Sequence, residues 1–156
     1  MINLKDHAGK RLDRPVTLAV VGAGARGAAY AELAARHPDK ARVVAVAEPR
    51  AAVRDHFGVR HALAPDRIFD DWRTMAALGR VADAVIIATL DADHLEPTEV
   101  FAGQGYDILL EKPIAPVEEQ VLAVGEAAAR TGATIAVCHV MRYTPYTRTL
   151  RELLPL

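Results

Sequence analysis

The chain has 156 residues, 51 % hydrophobic and 25 % charged, which excludes a disordered or fibrous protein and suits about one globular domain. With 19 Lys plus Arg against 20 Asp plus Glu, the formal charge is −1 and leaves no electrostatic footprint for nucleic acid or an anionic membrane surface. A single cysteine, Cys138, excludes an internal disulfide, and no apolar run reaches the roughly 20 residues of a bilayer span. The lead-in over residues 1–15 is polar and lacks the apolar core of a secretory signal, so the expectation is a cytoplasmic protein.

Val16 to Val21 is apolar, rich in β-branched residues and halted by Gly22, the pattern of a buried parallel strand. Arg26 to Arg36 switches to helix formers, and His37-Pro38-Asp39 ends that helix. Arg42 to Ala47 repeats the strand pattern, and Pro49 suits the first turn of a helix reaching about Gly58. His61 to Phe69 reads as irregular chain with a short strand. Asp70 or Asp71 caps a helix through Leu78. Ala84 to Ala88 is the most strand-like segment, followed by a helix from about Pro97 to Gly103 and a strand over Asp107 to Leu110. Val117 to Arg130 is a helix stopped by Gly132, Thr134 to His139 a last strand, and Tyr146 to Leu153 the beginning of another helix. This alternation gives the fold class α/β, with a doubly wound, mostly parallel, Rossmann-like sheet.

Gly22-Ala23-Gly24-Ala25-Arg26-Gly27 fits G-x-G-x-x-G and stands where that motif needs to stand, after a strand and before a helix. Gly22 makes the tight turn, Gly24 admits a pyrophosphate to the backbone, and Gly27 lets helix and sheet pack closely. The helix N-terminus then offers free amides and a positive dipole end to the anion. Glu48 follows the second strand, 21 positions after Gly27, where an acid bonding the adenosine ribose is expected. The acid favours NAD, while Arg26 and Arg50 leave NADP open; taken alone, Arg50 reads as a solvated residue at a helix start. The loop and its acid also suit a sulfonium-cofactor methyltransferase. Glu111-Lys112-Pro113 follows a strand whose carboxyl end faces the ligand side of such a sheet, so Lys112 is placed to donate to a substrate hydroxyl or carry a proton.

The glycine loop, Ala45 to Pro49, Ala88-Thr89 with Asp91 and His94, then Glu111-Lys112-Pro113, stand in order along the chain. This series resembles the N-terminal half of the glucose-fructose oxidoreductase, inositol dehydrogenase and MocA family (Gfo/Idh/MocA), from about Thr17 to Leu150. Val137 to Tyr143 with Pro145 is similar to that family's sixth strand and the Arg-(aromatic)-x-Pro after it. The resemblance implies a dinucleotide held by Gly22, Gly24, Gly27 and the amides of Ala25 and Arg26, with Glu48 on the adenosine ribose. It implies Thr89 and His94 along the nicotinamide half, Glu111 and Lys112 beside the nicotinamide ribose and substrate, Lys112 as catalytic residue, and Arg142 near the substrate. Leu90 departs from the proline usual after Thr89.

The implied parent activity is an oxidoreductase acting on CH–OH groups, moving hydride between NAD and a sugar or cyclitol. Family members are about twice this length. The expected division is therefore residues 1–15 as lead-in, 16–145 as the dinucleotide-binding domain, and 146–156 as the start of a crossover helix towards a substrate domain absent from this chain. That absent domain would carry the general base, so the chain alone is expected to bind cofactor with little or no turnover. His139 closes a strand in this reading and has a structural role. An uncovered face predicts self-association, or disorder over Tyr143 to Leu156, and a homo-oligomer is one consequence. Cys138 reads as a small buried hydrophobe, and the six His show no metal-ligand spacing, so no metal site is expected. A non-catalytic dinucleotide sensor is the alternative, and Glu111-Lys112-Pro113 is the feature it does not need.

Overall fold

The computed structural model describes residues 13–154; most of the lead-in read as 1–15, and the last two positions of the tail read as 146–156, lie outside the described residues. Six strands, β1 (Val16–Val21), β2 (Ala41–Ala47), β3 (Ile68–Phe69), β4 (Ala84–Ile87), β5 (Asp107–Leu110) and β6 (Ile135–Val137), form one sheet in the order β3-β2-β1-β4-β5-β6. Every pairing is parallel. The helices are α1 (Ala25–Arg36), α2 (Ala51–Arg60), α3 (Trp72–Ala76), α4 (Leu95–Gly103), α5 (Glu118–Thr131) and α6 (Pro145–Leu153). The strand order reverses at β1, which has β2 on one side and β4 on the other.

Why the strands are apolar throughout follows from their two-residue period. Val21, Ala45, Ala47, Val85, Ile87 and Leu110 face one layer, where they join Met75 of α3, Phe101 of α4 and Val124 of α5. Val20, Val43, Val46 and Ile86 face the other, with Ala31 and Ala34 of α1 and Phe57 of α2. Successive residues of one strand therefore enter opposite cores. Each fully buried Val, Ile or Leu side chain contributes roughly 1.5–3 kcal/mol over its exposed state.

Several helix limits follow from local chemistry. Asp71 caps α3 by accepting from the Arg73 amide at 2.8 Å, and Gly132 closes α5 at φ +73° with its amide on the Ala128 carbonyl. Other limits differ from expectation. Pro49 lies outside α2, because the Glu48 carboxylate holds the Arg50 amide and makes Arg50 the cap. Helix α3 stops at Ala76 rather than Leu78, ahead of Gly79 at φ +75°. Strand β6 ends at Val137, so Cys138 and His139 follow it instead of closing it. There the chain turns back on itself through bonds from His139 to Val137 and from Val140 to Cys138. Residues 145–153, for which disorder was one expectation, are helical, with Thr144 as cap.

Candidate functional site: the carboxyl edge of the sheet

Strand register determines which residues meet. Phe69, Ala47, Val21, Ile87, Leu110 and Val137 lie side by side as the last row of the sheet. Each next residue extends the ladder by one bond: Glu48 to Phe69, Gly22 to Ala47, Ala88 to Val21, Glu111 to Ile87 and Cys138 to Leu110, all 2.8–3.0 Å. Gly22, Glu48, Ala88 and Glu111, distant in sequence, thus share one edge. A cavity of about 490 Å³ opens over it where the strand order reverses, lined by Gly22, Gly24, Glu48, Arg50, Thr89 and Trp72 among others. A crevice at this switch point is where open α/β sheets bind ligands.

The three glycines of the loop are needed for different reasons. Gly22 sits at φ +88°, and a Cβ there would lie 2.5 Å from the Ala88 carbonyl oxygen. At Gly27 a Cβ would fall 2.0 Å from the Gly22 carbonyl oxygen, so α1 presses directly on the turn it follows. Gly24 differs: the nearest atom to its Cβ position is the Arg50 guanidinium, 3.5 Å away on the cavity side. Nothing in the fold demands glycine there, so the open backbone faces the cavity. Gly24 also caps α1 with no side-chain acceptor and no acid in the first turn, which leaves the amides of Ala25 and Arg26 to an outside anion.

Glu48 is 2 % exposed. Its Oε2 accepts from the Ala23 amide at 2.9 Å and from Arg50 Nη2 at 3.0 Å. Its Oε1 accepts from the Arg50 amide at 3.0 Å and Arg50 Nε at 2.7 Å. The Arg50 side chain, and then the two amides, outweigh burial and hold the Glu48 carboxyl below the usual carboxylate range. Arg54 donates to the Glu48 and Pro49 carbonyls, pinning the turn from outside.

Glu111, 4 % exposed, is the second buried acid. Its Oε1 accepts from the Tyr30 hydroxyl at 2.6 Å and Arg26 Nε at 3.0 Å, and its Oε2 accepts from the Lys112 amide at 2.9 Å. Burial pushes its pKa up, but these donors prevail and the net shift is downward. Burial, followed by the neighbouring Cys138 and Glu111, drives the Tyr30 phenol upward, so it remains a donor. Glu111 therefore ties the first turn of α1 to the end of β5, and its carboxylate points into the protein. Lys112 is exposed, and its ammonium makes no hydrogen bond or ion pair among the described residues.

His94 is fully buried. Its Nδ1 lies 2.9 Å from the Pro113 carbonyl, which only accepts, so Nδ1 carries the proton. The ring braces the turn holding Glu111, Lys112 and Pro113, whose Lys112–Pro113 peptide is cis. Thr89 lines the cavity and donates to the Asp93 carbonyl. Arg142 lies beyond β6 on an exposed turn, and His139 is exposed beside it. Among the described residues, no group of three His, Cys, Asp or Glu is arranged to hold a metal ion, and no helix is long and apolar enough to cross a membrane.

Sequence reasoning missed Tyr30 altogether and gave Arg50 too little weight. Tyr30 was within reach: it stands four positions after Arg26 on a predicted helix, and i,i+4 residues share a face. The Arg50 fork depends on the exact path of the Glu48 turn, which no pattern reports.

Residues 16–139 match the model of an oxidoreductase family with an NAD-binding Rossmann fold, GFO_IDH_MocA. The chain belongs to the Gfo/Idh/MocA family. It is 28 % identical over 135 residues to the rhizopine catabolism protein MocA of Rhizobium meliloti, covering 86 % of this chain and 41 % of that protein. Among solved structures it is similar to a WlbA dehydrogenase from Bordetella pertussis in complex with NADH and UDP-GlcNAcA (TM-score 0.82, 22 % identity, 89 % of this chain and 41 % of that one). It is also similar to apo scyllo-inositol dehydrogenase from Lactobacillus casei (TM-score 0.81, 21 % identity, 92 % and 42 %). The chain thus spans about two-fifths of the length of these relatives, and it corresponds to the NAD-binding part of the family.

Proposed function

We propose that this chain is the cofactor module of an NAD-dependent dehydrogenase acting on a sugar or cyclitol hydroxyl carbon. The observation carrying the reading is the carboxyl-edge row, in which an open glycine turn and a buried, ionised acid flank one cavity at the switch point. Gly22, Gly24 and Gly27 shape the loop, the amides of Ala25 and Arg26 take the pyrophosphate, and Glu48 takes the adenosine ribose. The residues present fit the cofactor, because Gly24 leaves open the backbone approach that a side chain would fill.

When bound, nicotinamide supplies the hydride acceptor. Thr89 lines the crevice towards that end. Glu111 and His94 act from behind by fixing the turn, and Lys112 projects from it into solvent, free to orient the reacting oxygen and handle its proton. Arg142 lies on the substrate side in this reading. The general base belongs to sequence outside this chain, so these 156 residues bind cofactor but turn over slowly, because hydride donor, acceptor and base must be held in one geometry. A cytoplasmic location belongs to the same proposal.

Calorimetric titration with NADH, NADPH and S-adenosylmethionine tests it. Binding of a reduced nicotinamide nucleotide, lost in Gly24→Val, is expected. Binding of S-adenosylmethionine alone would overturn the proposal.

A further inference from the structure

A second cavity, of about 690 Å³, opens where the edge strand β3 meets the far end of α3. It is lined by Asp66, Arg67, Phe69, Leu78, Arg80 and Val81, none of which lines the crevice over Gly22 and Gly24. Its floor is apolar, made by buried Phe69, partly buried Val81 and exposed Leu78. Two guanidiniums flank that floor. Tyr106 fixes the loop that carries Arg80: its hydroxyl donates to the Gly79 carbonyl at 3.2 Å and accepts from the Val81 amide at 2.6 Å. The Arg80 side chain is held in turn, with Nε donating to the Ala82 carbonyl at 3.2 Å and Nη2 to the Asp83 carbonyl at 3.0 Å. Both acceptors are neutral, and Nη1 has no hydrogen bond among the described residues, so the charge is placed but not neutralised. Arg67 is in a similar condition. Its Nε lies 3.7 Å from the Asp66 carboxylate, beyond hydrogen-bond reach, and that carboxylate is 75 % exposed. Elsewhere on the fold Arg14 is met by Asp83, Arg60 by Glu32 and Arg73 by Glu96.

We propose that this cavity binds a small organic anion, its carboxylate or phosphate taken by Arg67 and Arg80 and its apolar body resting on Phe69 and Leu78. Guanidinium forks suit those two acidic groups because each presents a pair of oxygens to a pair of N–H donors. Exposed ion pairs are weak mainly because two long side chains must be ordered at once. Here the Arg80 side chain and its loop are ordered already, so less freedom is lost on binding. Leu78 stands open at the wall without a neighbour to cover it, and an apolar ligand body would do so. Asp66 opposes an anion, and its exposure lets it turn to solvent. A cation does not suit two guanidiniums set against one carboxylate. The proposal is independent of the dinucleotide reading, which rests on other residues.

Phenyl phosphate and inorganic phosphate are titrated into the isotope-labelled chain, with Kd values taken from amide NMR shifts and Tm recorded for each variant. Phenyl phosphate is expected to saturate with a Kd on the order of 1 mM, its shifts centred on Phe69 and Val81, and inorganic phosphate to bind more weakly. Arg67→Gln and Arg80→Gln should each weaken phenyl phosphate about tenfold. Leu78→Ala should weaken it about threefold and leave inorganic phosphate unchanged. Arg80→Gln also removes the bonds to Ala82 and Asp83, so Arg67→Gln, whose guanidinium makes no hydrogen bond among the described residues, carries the test if Arg80→Gln melts early. Shifts confined to Ala25 and Arg26 would assign the anion to the glycine loop and overturn the proposal. Failure to saturate, or a Kd unchanged in Arg67→Gln, would overturn it too.

Discussion

Replacing Gly27 by Ala adds one methyl group at the point where α1 presses on the glycine turn. The new Cβ would stand 2.0 Å from the Gly22 carbonyl oxygen, 3.1 Å from its carbon and 3.2 Å from Val20 Cγ1. The first two are backbone atoms of a residue at φ +88° that is itself wedged against Ala88, so neither side yields without moving β1 or α1. Overpacking of this kind costs roughly 1–3 kcal/mol, and a rigid backbone neighbour puts the value at the upper end. Alanine regains up to about 1 kcal/mol of helix propensity, less in the first turn, where α1 is only beginning. The net loss is about 2–3 kcal/mol, which for a chain of this size lowers Tm by roughly 4–12 °C. Thermal unfolding followed by circular dichroism measures it. The control is Gly24→Ala, whose Cβ meets nothing closer than 3.5 Å and whose extended φ of −65° any residue adopts. It should stay within about 1 kcal/mol of the parent, the usual range for an N-cap exchange. Should Gly27→Ala melt with the parent chain, or no lower than Gly24→Ala, the close-approach argument for the third glycine is wrong.

Tyr30→Phe removes one of the three donors on Glu111 and should cost about 1–3 kcal/mol, as for hydrogen bonds to charged groups. Because those donors hold the native Glu111 pKa down, their contribution is present above the ordinary carboxylate pKa and disappears as pH falls through the lowered native value. The Tm gap between Tyr30→Phe and the parent should therefore be full at neutral pH and shrink in acid; a gap that widens in acid would contradict the assignment. His94→Ala leaves the Pro113 carbonyl without its donor and opens a cavity in a fully buried site, costing about 2–4 kcal/mol by denaturant unfolding. Lys112→Met, by contrast, removes an exposed ammonium and should leave the unfolding free energy within about 0.5 kcal/mol of the parent.

Much of the architecture was legible because it rests on strong local signals. Apolar runs such as Val16 to Val21 and Ala84 to Ile87 carry β-branched residues and end at turn residues, and the alternation with helical segments leaves few topologies. Elements held by tertiary contacts were less visible. Two-residue β3 has no period to read, and it exists because Ile68 and Phe69 pair with Val46 and Ala47. Strand β6 looked longer than it is, since Cys138 is buried like a strand residue although the chain has already begun to turn. In the site, the glycines and Glu48 were legible from spacing. That His94 and Glu111 face inwards was not, because a motif records which residues recur and says nothing about which way each side chain points.

The two buried acids show why that direction matters. Each ends a strand on the same edge, and each has an arginine partner, Arg50 for Glu48 and Arg26 for Glu111. Glu111 has in addition the Tyr30 hydroxyl, on the helix turn after Arg26, so losing the exposed Arg26 contact still leaves two donors from groups fixed in helix and backbone. Among the described residues no second side chain reaches the Glu48 carboxylate: apart from two amides, it depends on one exposed guanidinium beside the cavity, and Arg54 reaches only the Glu48 carbonyl. On the proposed function this asymmetry suits the two ends of a dinucleotide. At the Lys112 end the backbone must hold a reacting geometry within fractions of an ångström, and Glu111 is over-determined accordingly. The adenosine end takes no part in the chemistry, so on this reading Glu48 needs no comparable set of side-chain donors from separate elements.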